Sequence, residues 1–115
     1  MSVLAHCDEY LKRAMIRTMR PSEALSIYGD SLRALAGQWG FAEVRVFGST
    51  ARGEDREDSD LDLMVHLGSD EKFFDAFTFL VEANALCPGV NIDAIIDIMA
   101  KPDVLASAME EGFLL

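Results

Sequence analysis

The stretch FGSTARGEDREDSDLDL covers residues 47–63 and carries the features that decide the fold. It begins with a Gly48–Ser49 pair and ends with Asp60 and Asp62, two positions apart. Between these two ends lies a segment so rich in charged residues that it must be exposed to water. The stretch therefore reads as a turn, an exposed loop and a pair of carboxylates.

The segments around this stretch have the patterns of β-strands. Glu43 to Phe47 alternates polar and apolar residues, which predicts a strand that ends at Gly48. A short helix is expected from Thr50 to about Asp55, and a second strand over Leu61 to Leu67. A third strand is predicted for Val90 to Met99, which is rich in β-branched residues.

Helical spacing occupies most of the remaining chain. Residues 3–19 form an amphipathic pattern, and a second apolar stripe follows Pro21 and ends at Gly40. A third helix begins after Ser69, and its stripe is expected to face the core; this stripe consists of Phe73, Phe74, Phe77, Leu80 and Val81. A last helix runs from Pro102 to Gly112.

The order of these elements predicts an α+β fold, a small mixed β-sheet with flanking helices. With 115 residues, we expect a single domain over 1–115, in which residues 1–20 form an N-terminal helical extension. The net charge of −10 argues against direct binding of nucleic acid, because phosphate neutralisation supplies most of that affinity. It is compatible with a nucleotide, since a metal ion can bridge carboxylates to phosphates.

The sequence also predicts a location. No basic start followed by an apolar run is seen at the N-terminus, and no apolar stretch approaches 18 residues, so we expect neither a signal peptide nor a membrane span. Cys7 and Cys87 form no CxxC pair and are interpreted as reduced thiols. These features favour a cytoplasmic protein.

The turn at Gly48 is a candidate phosphate-binding site. A helix that starts at a strand end presents free backbone N–H groups, which together with the helix dipole favour an anion. Ser49 would add a hydroxyl donor and Arg52 a positive charge. The alternative is that the Gly–Ser pair is only a turn.

Asp60 and Asp62 are candidate metal ligands. Side chains alternate along a strand, so both carboxylates are predicted to point to the same face, about 6.6 Å apart along the chain. Mg²⁺ suits one or two carboxylates while keeping other positions for water and phosphate. The alternative is a solvated loop end.

A third carboxylate lies in the otherwise apolar segment VNIDAIIDIM. We prefer Asp93 to Asp97, its rival at the same parity, because Asp93 is nearer the start of the strand. Three carboxylates on adjacent strands would repel one another unless cations lay between them, and two Mg²⁺ ions would relieve that repulsion. The combination predicts phosphoryl or nucleotidyl transfer.

These motifs carry a resemblance. FGSTARGEDREDSDLDLMV followed by NIDAII resembles the minimal nucleotidyltransferases of the polymerase-β superfamily, in particular the MntA-type antitoxins paired with HEPN toxins. The resemblance implies the nucleotidyltransferase fold, with Gly48 and Ser49 on the nucleotide and Asp60, Asp62 and Asp93 as catalytic metal ligands. It further implies Mg²⁺, ATP, and transfer of AMP to a tyrosine of the cognate HEPN ribonuclease.

Two other functions remain open at the level of sequence. One is a non-catalytic antitoxin that neutralises its toxin by binding alone, with its acidic surface on a basic, RNA-binding face. The other is a small-molecule nucleotidyltransferase. The small-molecule function is disfavoured, because only one more helix is predicted after the third strand, which leaves no acceptor domain.

Overall fold

The structure is a computed structural model that describes residues 19–115. The helix predicted over residues 3–19 therefore lies outside the described residues except for Met19. The helices are α1 (Pro21–Gln38), α2 (Gly48–Ala51), α3 (Phe73–Leu86) and α4 (Pro102–Glu111). The strands are β1 (Val44–Phe47), β2 (Leu61–Val65), β3 (Ile92–Ile96) and β4 (Phe113–Leu114). Short 3₁₀ turns, Asp70–Lys72 and Asp97–Met99, precede α3 and follow β3.

The strands form one mixed sheet in the order β3-β2-β1-β4. β1 runs antiparallel to both β2 and β4, whereas β2 and β3 are parallel. The predicted α+β class with a small mixed sheet is therefore confirmed. β4 was not predicted, because two residues after a helix carry no periodic signal.

One face of the sheet packs against α1 and α3 and forms the hydrophobic core. Alternation along each strand sends every second side chain into this core. The fully buried members from the central strands are Val46, Leu61, Leu63 and Val65. The residues between them face the opposite side, where Asp62 and Asp93 lie.

The predicted orientation of α3 is wrong for part of its stripe. Phe74 is 79% exposed and Val81 is 69% exposed, while the side that enters the core carries Ala76, Phe79 and Ala83. Because α3 is apolar on almost all sides, periodicity did not distinguish the buried face from the outer one.

Two strands are shorter than predicted. β2 ends at Val65 rather than Leu67, and β3 covers only the middle of the predicted segment. Just beyond both strands, the side chain of Asp97 replaces strand pairing. Its Oδ1 accepts a hydrogen bond from the backbone N–H of Leu67 at 3.2 Å and another from that of Ile98 at 2.9 Å. The helix after β1 begins at Gly48, two residues earlier than expected.

Candidate active site

The turn between β1 and α2 depends on Gly48 for two reasons. Its φ is +70°, in the left-handed region that favours glycine. A Cβ at this position would also collide with the carboxylate of Asp62, whose Cγ would lie only 3.3 Å away. The turn and the Asp62 carboxylate are therefore packed directly against each other.

Ser49 and Arg52 lie in and just after α2. Ser49 is partly buried within the four-residue helix, and Arg52 follows its last residue. The guanidinium of Arg52 lies 3.2 Å from Glu54 and 3.6 Å from Glu111. Arg52 thus pairs with two carboxylates through its Nε and one terminal nitrogen, while the guanidinium has further N–H donors, and its role at a phosphate stays a prediction.

The register of the sheet brings two of the three predicted carboxylates side by side. Phe47, Asp62 and Asp93 are partners in one row across β1, β2 and β3. Neighbouring strands are about 4.8 Å apart, so the side chains of Asp62 and Asp93 project from adjacent positions on the same face. Asp60 lies one residue before β2, in the exposed approach to the strand.

Asp97, the rival of Asp93, lies at the other end of β3. Besides its two backbone hydrogen bonds, its Oδ2 is 3.3 Å from Nδ1 of His66. These contacts join the ends of β2 and β3 and give Asp97, a half-buried residue at the start of the 3₁₀ turn after β3, a structural role. The polar residue in the apolar segment therefore has a local explanation that does not involve the row of Asp62.

The carboxylates influence each other's ionisation. Burial, followed by the charges of Asp93 and Asp60, raises the pKa of Asp62 to about 6, while Arg52 acts in the opposite direction. The ionised form of Asp62 is therefore poorly stabilised by the protein alone. A positive charge placed between the three carboxylates would remove this penalty.

The donor set fits a divalent cation with a preference for oxygen ligands. Among residues 19–115, no three His, Cys, Asp or Glu side chains are already arranged around one ion. Asp60 and Asp93 are exposed and free to turn, so the set would close by rotation of side chains about a backbone that already has the required register.

α4 brings to this turn residues that the sequence did not predict there. A cavity of about 270 Å³ lies beside it, lined by Phe47, Gly48, Arg52, Asp103, Val104 and Ser107. The Ser107 hydroxyl donates to Glu111 at 3.3 Å. No sequence signal could have shown this, because α4 lies some fifty residues farther along the chain.

Asp55 has a different role from the solvated loop position suggested by its charged neighbours. Its Oδ2 accepts from the backbone N–H of Ser22 at 2.9 Å, so it caps the start of α1. Although burial opposes the change, the hydrogen bonds from Ser22 lower the pKa of Asp55. The charged loop is thereby anchored to the first helix.

Within the described part of the chain, no helix combines the length and the apolar character needed to cross a membrane.

Comparison with known proteins identifies the family. A sequence profile described as "Nucleotidyltransferase domain" matches residues 31–112, which include the turn and all three carboxylates. A solved structure, reported as a candidate minimal nucleotidyltransferase, is similar with a TM-score of 0.70 and 33% sequence identity. The similarity covers 82% of this chain and 95% of that one. The search of curated proteins found no match. The sequence match, the fold and the turn beside paired carboxylates all agree with these findings, and the chain belongs to the nucleotidyltransferase domain family.

Proposed function

We propose that this nucleotidyltransferase is a cytoplasmic antitoxin that transfers AMP from ATP to a tyrosine of a HEPN-type ribonuclease toxin. The observation that carries the proposal is the row in which Asp62 lies beside Asp93 and directly against the Gly48 turn. The Gly48 turn and the carboxylates of Asp62 and Asp93 would then contact opposite ends of one triphosphate. The family membership supports the reaction, and the resemblance of the motifs supports the acceptor.

The reaction is a displacement at the α-phosphorus of ATP. The tyrosine oxygen forms a bond to this phosphorus, the bond from phosphorus to the bridging oxygen breaks, and pyrophosphate leaves. Ser49 would donate a hydrogen bond to a phosphate oxygen, and the backbone at Gly48 allows close approach because it carries no Cβ. Asp93 would accept the tyrosine proton and orient the attacking oxygen.

Asp60, Asp62 and Asp93 would hold Mg²⁺, with two ions as the expected number. When bound, these ions would supply positive charge that offsets the negative charge developing during the displacement. The pKa of Asp62 is raised by burial and then by the charges of the neighbouring carboxylates. Bound cations would balance those charges, so Asp62 would be ionised in the metal-bound state.

A protein acceptor is supported by the position of the carboxylates. Asp93 is exposed on β3, a strand at the edge of the sheet, so a segment of another protein can approach it without rearrangement of the core. The net charge of −10 favours a basic partner, such as a protein with an RNA-binding face.

The test is incubation with α-labelled ATP, Mg²⁺ and the product of the neighbouring gene, a small helical protein with an Arg-x4–6-His motif if the proposal is correct. We expect label on one tyrosine of the partner, in steps of one AMP by mass spectrometry, and none with the Asp62→Asn variant. Neutralisation of an unmodified partner by Asp62→Asn would favour the binding-only antitoxin. Label on small molecules alone would favour the small-molecule enzyme.

A further inference from the structure

An apolar groove runs along β3 on the side where no strand of residues 19–115 pairs with it. β3 is at one end of the sheet order, and a cavity of about 270 Å³ lies between it and α3. Its walls include Phe77 and Leu80 from α3, Ala94 and Ile96 from β3, and Met99. We call this feature the β3-edge groove.

Exposed apolar side chains continue the groove outward. Phe77 is 49% exposed and Met99 61% exposed, and Phe74, Val81 and Ile98 add further large apolar side chains at 79%, 69% and 62% exposure. On α3, Phe74 and Val81 lie one helical turn to either side of Phe77, and Ile98 directly precedes Met99. Single exposed apolar residues are normal on a protein surface, but a group of them beside a groove is typical of an interaction site.

The backbone of β3 offers hydrogen-bonding groups along the same edge. The N–H and C=O of Ile92 both point away from β2, where the side chain of Asn84 binds them at 2.9 Å each. Groups two residues apart on a strand point in the same direction, so those of Ala94 also face outward. Among residues 19–115, none hydrogen-bonds to Ala94 on that outer side. Asn84 thus occupies the place of a neighbouring strand at Ile92 and leaves the next position open.

We propose that an extended segment of the acceptor protein adds to β3 as a further strand and places apolar side chains in the β3-edge groove. This proposal rests on the proposed function, because the occupant is the segment that carries the acceptor hydroxyl. Addition of a strand to an exposed sheet edge is a common mode of peptide recognition, in which backbone hydrogen bonds give affinity and pockets give specificity.

The position of Asp93 decides in favour of the acceptor as the occupant. Asp93 directly precedes Ala94 on β3, and one residue of strand spans about 3.3 Å. A segment paired with Ala94 would therefore bring its neighbouring residues to the carboxylate that receives the proton. A second copy of this chain would bring another charge of −10 to the same place, and the two copies would repel each other.

Three variants test the proposal with the neighbouring-gene product as the partner. Ala94→Pro removes the outward N–H at an edge position, where proline is tolerated. Phe77→Asp places a charge in the groove and leaves the backbone unchanged. The matched control is Ile27→Asp, which changes a 60% exposed apolar residue on α1, outside the groove. Thermal unfolding and calorimetric binding of ATP with Mg²⁺ verify that each variant is folded.

Binding is measured in the Asp62→Asn background, so that complex formation is read without chemistry; transfer of labelled AMP is measured in the parent background. We expect Ala94→Pro and Phe77→Asp each to weaken the complex roughly tenfold or more and to raise KM for the partner similarly. Binding of ATP should stay within about twofold of the parent, and Ile27→Asp should behave as the parent.

The binding and transfer measurements together distinguish a failure of the docking site from a failure of the proposed chemistry. A parent that forms the complex but transfers no label, with the complex still sensitive to both groove variants, would refute the chemistry and retain the docking site. The docking proposal is overturned if no complex forms, if neither groove variant weakens it, or if Ile27→Asp weakens it equally. It is also overturned if the parent self-associates through the groove, or if a peptide of residues 1–18 competes with the partner for it.

Discussion

Asp62→Asn is expected to abolish nucleotidyl transfer and, at the same time, to stabilise the metal-free protein. The pKa of Asp62 is raised from 3.8 to about 6, chiefly by burial and then by Asp93 and Asp60. Because the native state holds the proton more tightly than the unfolded state, ionisation of Asp62 lowers the free energy of unfolding as pH rises from about 4 through about 6. Asparagine has nearly the same shape and carries no charge, so it avoids this loss.

The size of the effect follows from the shift in pKa. Two pKa units correspond to about 3 kcal/mol, and since Asp62 is partly exposed and its charge is screened by water, we expect about 1–2 kcal/mol at pH 8. For a chain of 115 residues, this corresponds to an increase of about 4–8 °C in Tm. At pH 5 the difference between variant and parent should fall to about half, because much of Asp62 is then protonated in the native parent.

The assay is thermal unfolding at pH 8 and pH 5 in the presence of a chelator, and again at pH 8 with Mg²⁺. Asp58→Asn is the matched control, since it removes one carboxylate from an exposed position in the adjacent loop. Mg²⁺ should raise the Tm of the parent and of the control more than that of Asp62→Asn. An Asp62→Asn variant that is no more stable than the parent at pH 8 without metal, or whose gain in Tm is the same at both pH values, would refute the predicted cost of ionising Asp62.

Gly48→Ala should lower the free energy of unfolding by about 1–2 kcal/mol, because alanine is strained at a positive φ. It should also reduce transfer of labelled AMP, because the added Cβ displaces Asp62. Transfer at the parental rate would contradict the close packing of the turn against Asp62. Ser49→Ala should reduce kcat/KM for ATP by roughly 10- to 150-fold through loss of a hydrogen bond to a charged phosphate, and an unchanged value would mean that the serine serves only the turn. Asp93→Asn should abolish transfer and Asp97→Asn should be mild in the same assay, with the reverse result assigning the third carboxylate to Asp97. Asp55→Ala should lower stability by about 1–2 kcal/mol in urea titrations while leaving the KM for ATP unchanged, since it removes a helix cap; unaltered stability would show that this cap contributes little.

Much of the fold follows from local patterns. Alternation before Gly48 predicted a strand that ends there, and that end is observed because a positive φ cannot continue a strand. The same alternation predicted that Asp62 would face away from the core between two leucines, which are both fully buried. Proline and glycine marked the beginning and end of α4 because each acts on its own backbone.

The candidate site shows the limit of such patterns. Asp93 and Asp97 have the same parity and cannot be distinguished by alternation, whereas the parallel register of β2 and β3 puts Asp93 beside Asp62. The partners of Arg52 and Asp55 are equally absent from local patterns, since Glu111 and Ser22 lie far from them in the chain. Such contacts depend on how whole elements pack.

The orientation of α3 has the same explanation. Its sequence is apolar on both the inner and the outer side, so the hydrophobic effect alone favours burial of either stripe. The choice is made by the shape of the sheet: Phe79 and the small Ala76 and Ala83 let the helix approach the strands closely, while Phe74 and Val81 remain outside. Backbone conformation and side-chain alternation are local properties and can be read from neighbouring residues, but register and packing arise from contacts between distant segments, which only the assembled sheet and its helices specify.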